Sequence, residues 1–313
     1  MGGERPSGND RRGGAARPAT RCGFVALVGA PNSGKSTLVN RLVGAKVSIV
    51  TPKVQTTRTR VLGITAVAET QLVFVDTPGI FAPKRRLERA MVAAAWSGAA
   101  GADVVVVLVD SAKGVDEDVR RIVGGLKGSG RTAILALNKL DLVKREKLLG
   151  LAASLDAEGV FTDTFMISAL TGDGVADLLA CLCGRLPEGP WLYPEDQLTD
   201  MAERLLAAEI TREQVFLQLR QELPYAAAVE TEAWTALEDG SVKIDQIIYV
   251  LRASQKGIVL GKGGSRVKAI GTAARKELEG ILGRRVHLFI HVKVRDWTAD
   301  PERFRALGLD FNA

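Results

Sequence analysis

A glycine-rich loop ending in lysine and serine is the segment of this sequence best suited to chemistry. Its residues are Gly29, Ala30, Pro31, Asn32, Ser33, Gly34, Lys35, Ser36 and Thr37. The loop follows an apolar run at 24–29 and precedes an amphipathic run at 35–43, so it joins a predicted strand to a predicted helix. Backbone N–H groups of such a loop can wrap phosphates, and the helix dipole adds to the attraction. Lys35 is expected to reach the β- and γ-phosphates of a nucleotide, and the Ser36 hydroxyl to ligate Mg2+.

The base is predicted from two further motifs, each directly after an apolar run (134–137 and 165–167). The first consists of Asn138, Lys139, Leu140 and Asp141. An aspartate carboxylate can accept both N1–H and N2–H2 of guanine, whereas adenine has no matching pair of donors, and such a mismatch costs on the order of several kcal/mol. The Leu140 side chain has no assigned role in this interpretation; the other three positions matter. The second motif is expected to offer a backbone N–H to guanine O6, and it consists of Ser168, Ala169 and Leu170.

A fourth motif points to the metal that accompanies the phosphates. It follows the apolar run at 72–75 and consists of Asp76, Thr77, Pro78 and Gly79. The Asp76 carboxylate can hold the Mg2+ shell, and the Gly79 N–H can meet the γ-phosphate, which makes the loop sensitive to the nucleotide. Thr57, in preference to Thr56, is predicted to complete the Mg2+ sphere when the γ-phosphate is present. A plain surface threonine pair is the alternative.

Hydrolysis is expected to be slow because of the residue after this motif. Many GTPases orient the attacking water with a glutamine at that position. Here it is Ile80, which has nothing to donate or accept. Chemistry is therefore expected to rest on Lys35, Mg2+ and backbone positioning around Gly79, with help from something further.

The elements that hold these motifs alternate between strands and helices. Apolar runs at 24–29, 72–75, 104–109, 134–137 and 165–167 predict strands, and stretches at 35–43, 87–100, 143–157 and 175–186 predict helices. This pattern predicts an α/β domain with a mostly parallel sheet and helices on both faces. Ligands of such sheets bind beyond the carboxyl ends of the strands, which is where every motif above lies.

A different pattern begins near residue 190. A proline-rich linker is predicted at 190–199, and Asp200 with Glu203 resembles a capping box opening a long helix that ends by Pro224. Strands at 226–236 and 242–253, two helices on either side of a glycine-rich loop (the second at 264–282) and a strand at 286–294 complete a helix–strand–strand–helix–helix–strand order. The second domain is thus predicted to be a smaller α+β unit at 200–313, after a first domain at 23–189.

The second domain carries a glycine-rich loop and a strong positive charge. Residues 241–296 contain twelve basic and four acidic side chains, a net +8 within a chain of +6, which suggests a polyanionic partner. A Gly-x-x-Gly loop between two helices clamps about four nucleotides of single-stranded nucleic acid in KH domains. The predicted RNA-binding residues are Gly261, Lys262, Gly263, Gly264, Arg266 and Lys268. His287 and His291 are expected to be solvent-facing, in preference to RNA or metal contacts.

The remaining composition sets limits. Residues 1–22 contain five arginines and little apolar surface, which predicts a disordered basic tail. A transit peptide is the alternative, against which Glu4 and Asp10 count. Three cysteines are too few for a disulfide framework or a four-ligand zinc site, so a reducing, cytoplasmic location is expected. No apolar run is long enough to cross a bilayer.

With these motifs the chain resembles the Era-like family of bacterial GTPases, in which a GTPase is joined to a type II KH domain. The resemblance covers residues 23–313, and the basic tail lies outside the family's usual pattern. Its markers are the phosphate loop from Pro31 to Thr37, Gln55-Thr56-Thr57-Arg58, the loop Asp76 to Ile80, Asn138 to Asp141, and Tyr193-Pro194-Glu195-Asp196-Gln197.

The resemblance implies a partner and a role. Its members bind the 3′ end of 16S rRNA in the small (30S) ribosomal subunit and act as a checkpoint in subunit maturation. It also implies that K+, held in part by Asn32, assists hydrolysis, with a loop-structuring role for Asn32 as the alternative. We expect GTP/GDP and Mg2+ as ligands, a monomer, and no DNA partner. Peripheral membrane association is implied by the family, although no amphipathic membrane helix is evident.

Two interpretations of the whole chain stay open at this stage. In the first, GTP switches the binding of ribosomal RNA. In the second, the chain binds RNA constitutively and the nucleotide is structural. A double-domain assembly GTPase with a KH-like tail is excluded because the sequence has only one phosphate loop.

Overall fold

Residues 20–313 are described in the computed structural model, and the first part of them forms a six-stranded sheet in the order β2-β3-β1-β4-β5-β6. The strands are β1 Arg21–Gly29, β2 Val61–Val67, β3 Thr70–Asp76, β4 Val104–Asp110, β5 Ala133–Asn138 and β6 Phe161–Met166. All neighbours are parallel except β2 and β3, which pair antiparallel. The predicted mostly parallel sheet is confirmed. Strand β2 was not predicted, and it occupies the edge.

Five helices cover the two faces of this sheet. They are α1 Lys35–Val43, α2 Arg86–Ala100, α3 Glu117–Ser129, α4 Arg145–Asp156 and α5 Val175–Arg185. Along β1, Ala26 and Val28 pack with residues of α2, α3 and α4, whereas Val25 and Leu27 pack with α1 and α5. This alternation in a strand that is buried on both sides explains its near-continuous apolar sequence. Helix α3 was not predicted, although Asp116 caps it by accepting from the Val119 N–H at 2.9 Å.

The second part of the chain is a smaller α+β unit around a three-stranded sheet in the order β7-β8-β9. Its elements are α6 Glu203–Gln218, α7 Leu223–Ala226, β7 Ala228–Ala236, β8 Val242–Val250, α8 Ala253–Leu260, α9 Ser265–Leu282, β9 Val286–Val294 and α10 Pro301–Ala306. Strands β7 and β8 are antiparallel, and β8 and β9 are parallel. The predicted order of elements is present, with the short helices α7 and α10 added.

Two local predictions in this part were wrong. The residue before α6 is Ala202, with no side-chain cap, so Asp200 and Glu203 form no capping box. Helix α6 also ends at Gln218, and Pro224 lies inside α7 rather than terminating the long helix. A proline is tolerated in the first turn of a helix because the N–H it lacks has no partner there.

The segment between the two parts lies along the edge of the first sheet. Leu198 accepts from the Ile64 N–H of β2 at 2.8 Å, and the Leu192 N–H donates to Gln71 Oε1 of β3 at 2.9 Å. At the other end of the first domain, Arg21 and Cys22, assigned to the tail on sequence, belong to β1. The rest of the predicted tail, residues 1–19, lies outside the described residues.

The carboxy-terminal segment packs on both parts. Phe304 of α10 is fully buried and belongs to a cluster with Ala90 and Met91 of α2. Trp297 is also buried, and its indole N–H donates to the Ala226 carbonyl at 2.9 Å. No helix in the described part of the chain has the length and apolarity that a membrane span requires.

Candidate nucleotide and RNA sites

The phosphate loop leaves β1 and enters α1 with the geometry of an anion cradle. Gly34 has φ +102, a conformation that side chains rarely adopt, and it caps the N-terminus of α1. Lys35 is 6% exposed, and its Nζ donates to the carbonyls of Gly29 (3.1 Å) and Ala30 (3.0 Å). Burial lowers the pKa of Lys35 to about 8, opposed by the nearby Asp76 carboxylate. An anionic ligand at this loop would offset that burial.

The three predicted metal ligands meet at the start of α1. Ser36 Oγ donates to Asp76 Oδ2 at 2.6 Å and lies 2.9 Å from Thr57 Oγ1. Ser48, which is not among the predicted ligands, also donates to Asp76 Oδ2 at 2.6 Å. Thr56 is directed elsewhere, because its hydroxyl pairs with Thr51 Oγ1 at 2.6 Å. The structure therefore brings Ser36, Thr57 and Asp76 together and leaves Thr56 out.

This group of oxygens fits Mg2+. Asp76 is fully buried, and its Oδ1 has no hydrogen-bond partner within residues 20–313. Burial raises the pKa of Asp76, against the hydrogen bonds from Ser36 and Ser48 and the charge of Lys35. A buried carboxylate oxygen without a donor is costly unless a cation compensates it. Carboxylate and hydroxyl oxygens are also the hard ligands that Mg2+ prefers.

The loop after Asp76 packs directly on the phosphate loop. A side chain at Gly79 would approach the backbone N of Pro31 to 2.9 Å, so only glycine fits without movement. The Ile80 N–H donates to the Gly29 carbonyl at 3.1 Å, and the Ile80 side chain is fully buried in the core. Thr77 and Pro78 are buried as well. Ile80 thus has a structural role and no access to an attacking water.

Asn138 joins the three loops around the base position. Its Nδ2 donates to the Ser33 carbonyl at 2.7 Å, and its Oδ1 accepts from the N–H groups of Lys139 (2.8 Å) and Ala169 (2.9 Å). Asp141, in the short 3-10 helix Leu140–Leu142, is exposed. The Asp141 carboxylate, which is predicted to bind guanine, is therefore open to solvent in the structure, so a base would have to desolvate it.

The loop from Ser168 to Leu170, which is predicted to contact the base, uses two of its N–H groups for hydrogen bonds within the protein. The Ala169 N–H is used by Asn138, and the Ser168 N–H donates to the Asp173 carbonyl at 2.9 Å. Leu170 is 71% exposed. Arg41 of α1 donates to the carbonyls of Ala169 and Leu170, which fixes this loop against the phosphate-binding helix.

Asn32 connects the phosphate loop with the segment that carries Thr57. It adopts a positive φ of 63, and its Nδ2 donates to the Pro52 carbonyl at 2.9 Å. This contact fits a structuring role for Asn32. A cavity of about 410 Å³ lies between the two segments, and it is lined by Asn32, Lys35, Ser36, Thr57, Gly79 and Lys139 among others. The volume falls within the range of small-molecule sites.

The candidate RNA site surrounds the turn between α8 and α9. Gly261, Gly263 and Gly264 all have positive φ, and Lys262 and Lys268 are exposed. A side chain at Gly261 would come within 2.8 Å of the Arg266 Cβ. Arg266 is exposed, and its Nη1 donates to the Ile258 carbonyl at 3.0 Å, so it also braces the turn.

A groove of about 490 Å³ continues from this turn between α9 and β9. It is lined by Val267, Lys268, Gly271, Thr272, Arg275, Val286, His287, Leu288, Phe289 and Ile290. Phe289 is 49% exposed, and Lys243 lies 5.4 Å from its ring centre. Sequence reasoning missed Arg275 and Phe289, although an exposed aromatic on a basic strand face was a usable signal. His287 is half-buried and lines the groove, and His291 is exposed, in agreement with the predicted solvent-facing positions of both residues.

Two nucleotide-site residues were also missed. Asp110, at the carboxyl end of β4, accepts from Lys139 Nζ at 2.7 Å and from the Ala112 N–H at 3.0 Å. Its place after the apolar run 104–109 was a usable signal, because ligand sites lie at such strand ends. Ser48 lies in an irregular segment and had none. Within the described residues, no group of three or more His, Cys, Asp or Glu side chains forms a further metal site.

Two family models match the chain. Residues 24–139 match a family described as 50S ribosome-binding GTPases, and residues 222–298 match the KH domain. GTPase Era of Sinorhizobium medicae is 60% identical over 298 residues, which are 95% of this chain and 96% of that protein. GTPase Era of Agrobacterium fabrum is 60% identical over 293 residues, 93% of this chain and 92% of that protein.

Two solved structures extend the comparison. A point variant of Aquifex aeolicus Era bound to GDP and AlF4– is 40% identical, with a TM-score of 0.88, and covers 92% of this chain and 99% of that one. An Era complex with MgGDPNP and nucleotides 1506–1542 of 16S ribosomal RNA has the same identity, TM-score and coverage.

Proposed function

Because the chain belongs to the GTPase Era family and is a GTP hydrolase with a KH domain, we propose that its GTP-bound form binds the 3′ end of 16S rRNA through the α9–β9 groove. The observation that carries the proposal is the groove itself, in which lysine, arginine and an exposed phenylalanine follow a Gly-x-x-Gly turn. The related Era complex contains nucleotides 1506–1542 of that RNA.

In this proposal each residue of the nucleotide site has a specific task. Mg2+, when bound, neutralises phosphate charge, and Ser36, Thr57 and Asp76 would hold it. Lys35 and the loop from Gly29 to Thr37 bind the phosphates, and Gly79 approaches the γ-phosphate through its N–H. Asp141 selects guanine, while Lys139 and Leu140 flank it.

The structure supports a slow intrinsic GTPase. Ile80 is buried, so no side chain at this position orients the attacking water. We include K+ in the proposal, because Asn32 and Pro52 line the same cavity as Lys35 and bring two oxygen-bearing groups to it. Turnover should be faster in KCl than in NaCl, and Asn32→Ala should remove the difference. Equal rates in the two salts would exclude this role of Asn32.

Biologically, we propose a maturation checkpoint on the 30S subunit, exerted by a cytoplasmic monomer. Nucleotide-dependent RNA binding separates this checkpoint from constitutive binding. The affinity for an RNA oligonucleotide with the 3′-terminal 16S sequence should be measured with a GTP analogue, with GDP and without nucleotide. The proposal expects tightest binding with the GTP analogue, and weak binding of a scrambled oligonucleotide throughout.

Gly261→Asp is the matched control for this experiment. It places a carboxylate and a Cβ at a turn with φ +71, where a side chain meets Arg266. RNA affinity should fall while GTP turnover without RNA is retained. Equal RNA affinity in all three nucleotide states would instead favour the constitutive RNA-binding interpretation.

A further inference from the structure

Thr57 lies between two residues that the KH-containing part of the chain holds in place. On one side, Arg212 of α6 donates through Nη2 to the Thr56 carbonyl at 2.7 Å. On the other side, the Arg58 guanidinium donates to the carbonyls of Ala227 (2.9 Å) and Tyr225 (3.0 Å) beyond α7 and within it. The backbone of Thr57 is therefore fixed on both sides by contacts from outside the GTPase sheet.

Both arginines are buried to a degree that is unusual for their type. Arg58 is 4% exposed and Arg212 is 3% exposed, and both lie over the Phe216 ring, at 5.6 and 5.3 Å. Arg58 also lies 5.2 Å from the Trp297 ring centre. Fully buried arginine is rare unless it is paired, so these contacts indicate a specific interface rather than a chance approach of two surfaces.

A carboxylate fixes the orientation of the Arg212 side chain. Glu209, one turn earlier in α6, accepts from Arg212 Nε at 2.8 Å and from Nη2. This fork leaves Nη2 directed at Thr56. Within residues 20–313 Arg58 has no carboxylate partner. Burial lowers the pKa of Arg58 to about 9, with the Arg212 charge adding to the effect. Arg58 donates to backbone carbonyls in and just beyond α7. These contacts therefore hold Arg58 only while α7 stays in its present position.

The rest of the segment is tied to the same helix. Glu213 of α6 accepts from the Val50 N–H at 2.8 Å and pairs with Lys46 at 2.5 Å. Lys53 Nζ donates to the Leu219 carbonyl at 2.5 Å, just beyond the end of α6. Residues 46–58 are thus attached to the α6–α7 region along their length, although they belong in sequence to the GTPase.

We propose that Arg58 and Arg212 are positioning residues for the GTP state, which hold Thr57 at its Mg2+-binding position from both sides. The inference rests on the proposed metal role of Thr57, and it adds which residues hold Thr57 in position. The nucleotide site is then complete only when the KH-containing part is docked. Any movement of α6–α7 acts on Thr57 without contact with the nucleotide.

The effect should be confined to the triphosphate. Thr57 meets the metal when the γ-phosphate is present, whereas the loop from Gly29 to Thr37 binds both GTP and GDP. We call Arg58 and Arg212 together the clamp. Its loss should weaken GTP-analogue binding about tenfold, because ordering the backbone of one residue costs about 1–2 kcal/mol. GDP affinity should change by less than about twofold.

The experiment measures GTP-analogue and GDP affinities of the full chain over a Mg2+ titration. Arg58→Lys keeps the charge and removes the guanidinium that donates to the Ala227 and Tyr225 carbonyls. Arg212→Met with Glu209→Gln removes the contact to Thr56 without leaving a buried carboxylate unpaired. Arg284→Met is the matched control, because Arg284 pairs with Glu203 and stacks on Trp234 within the KH-containing part. Thr57→Ala is the reference, alone and combined with each clamp variant.

Support requires three results together: a lowered GTP-to-GDP affinity ratio in both clamp variants, no change in Arg284→Met, and no further loss when the clamp variants are added to Thr57→Ala. An unchanged ratio in folded clamp variants that bind GDP, or losses that simply add to Thr57→Ala, would overturn the inference. If Thr57→Ala itself leaves the ratio unchanged, the proposed metal role fails and the clamp fails with it. A Thr57 effect with silent clamp variants overturns the clamp alone.

Discussion

The side-chain amide of Asn138 donates to the carbonyl of Ser33 at 2.7 Å, which joins the predicted guanine motif after β5 to the phosphate loop after β1, with β4 between the two strands. The same side chain accepts from the Ala169 N–H at 2.9 Å. Strand β1 ends in the phosphate loop, and β5 ends in the guanine motif. The position of the base is therefore coupled to the position of the phosphates before any nucleotide binds.

Asn138→Ala should weaken GDP and GTP binding alike. The change removes three hydrogen bonds and leaves the buried Ser33 carbonyl and Ala169 N–H without partners. The loops that these bonds hold must then be ordered when a nucleotide binds, and with each lost bond worth about 1 kcal/mol we expect on the order of a 100-fold loss of affinity. Isothermal titration with both nucleotides checks this. A loss restricted to one nucleotide would contradict the tie between the loops.

Asp141→Asn should change the base that is bound rather than the stability. Asp141 is exposed, so the substitution creates no buried defect. An asparagine can accept from N1–H and donate to a carbonyl at C2, so xanthine replaces guanine as the matching base. GTP affinity should fall by about 10^4-fold, in line with other polar mismatches, and XTP should compete. Competition binding against a labelled GDP analogue distinguishes the two. Retained preference for GTP would remove Asp141 from the base site.

Lys35→Met should stabilise the nucleotide-free protein below pH 8. Burial lowers the pKa of Lys35 to about 8 in the folded state from an unfolded value of 10.5. The unfolded state therefore binds more protons between pH 8 and 10.5, and the free energy of unfolding rises with pH across that window. Below pH 8 the charged lysine is buried at its full cost, up to about 3 kcal/mol.

Urea unfolding of nucleotide-free wild type and Lys35→Met measures this cost. The variant should be the more stable at pH 7, and the difference should shrink towards pH 10. GTP binding should be lost in the variant at both pH values. A constant stability difference across the range would show that Lys35 does not titrate in this window.

Much of this site followed from the sequence because its motifs are local. The phosphate loop is defined by residues within one strand–turn–helix unit, and the predicted helix 35–43 agrees with α1. The metal group required Asp76 and Thr57 to approach Ser36, which the rule about strand ends anticipates for Asp76. Ser48 was beyond such rules, because its hydrogen bond to Asp76 depends on the path of an irregular segment.

The contacts between the two parts of the chain were not predictable for the same reason. Arg58 is separated from Ala227 by 169 positions, and no periodicity links them. Strand β2, at the edge of the sheet, was missed although Val61, Leu62 and Ile64 are buried, because Gly63 and Thr65 interrupt its apolar run. In contrast, strands buried on both faces, such as β4 and β5, are continuous apolar runs, and their positions were predicted.

The groove between α9 and β9 allows stacking and charge to be measured separately in RNA binding. Phe289 is 49% exposed, so Phe289→Ala should leave thermal stability nearly unchanged while weakening RNA binding by about 1–3 kcal/mol, the usual value of one base stack. The slope of log affinity against log salt should stay the same, because no phosphate contact is lost.

Arg275→Gln should instead lower the magnitude of that slope by about 0.7 for each phosphate contact removed. Fluorescence anisotropy with a labelled single-stranded RNA over a series of salt concentrations measures both quantities. If Phe289→Ala changed the slope, or Arg275→Gln weakened binding equally at all salt concentrations, the groove would not hold bases and phosphates in the way its residues indicate.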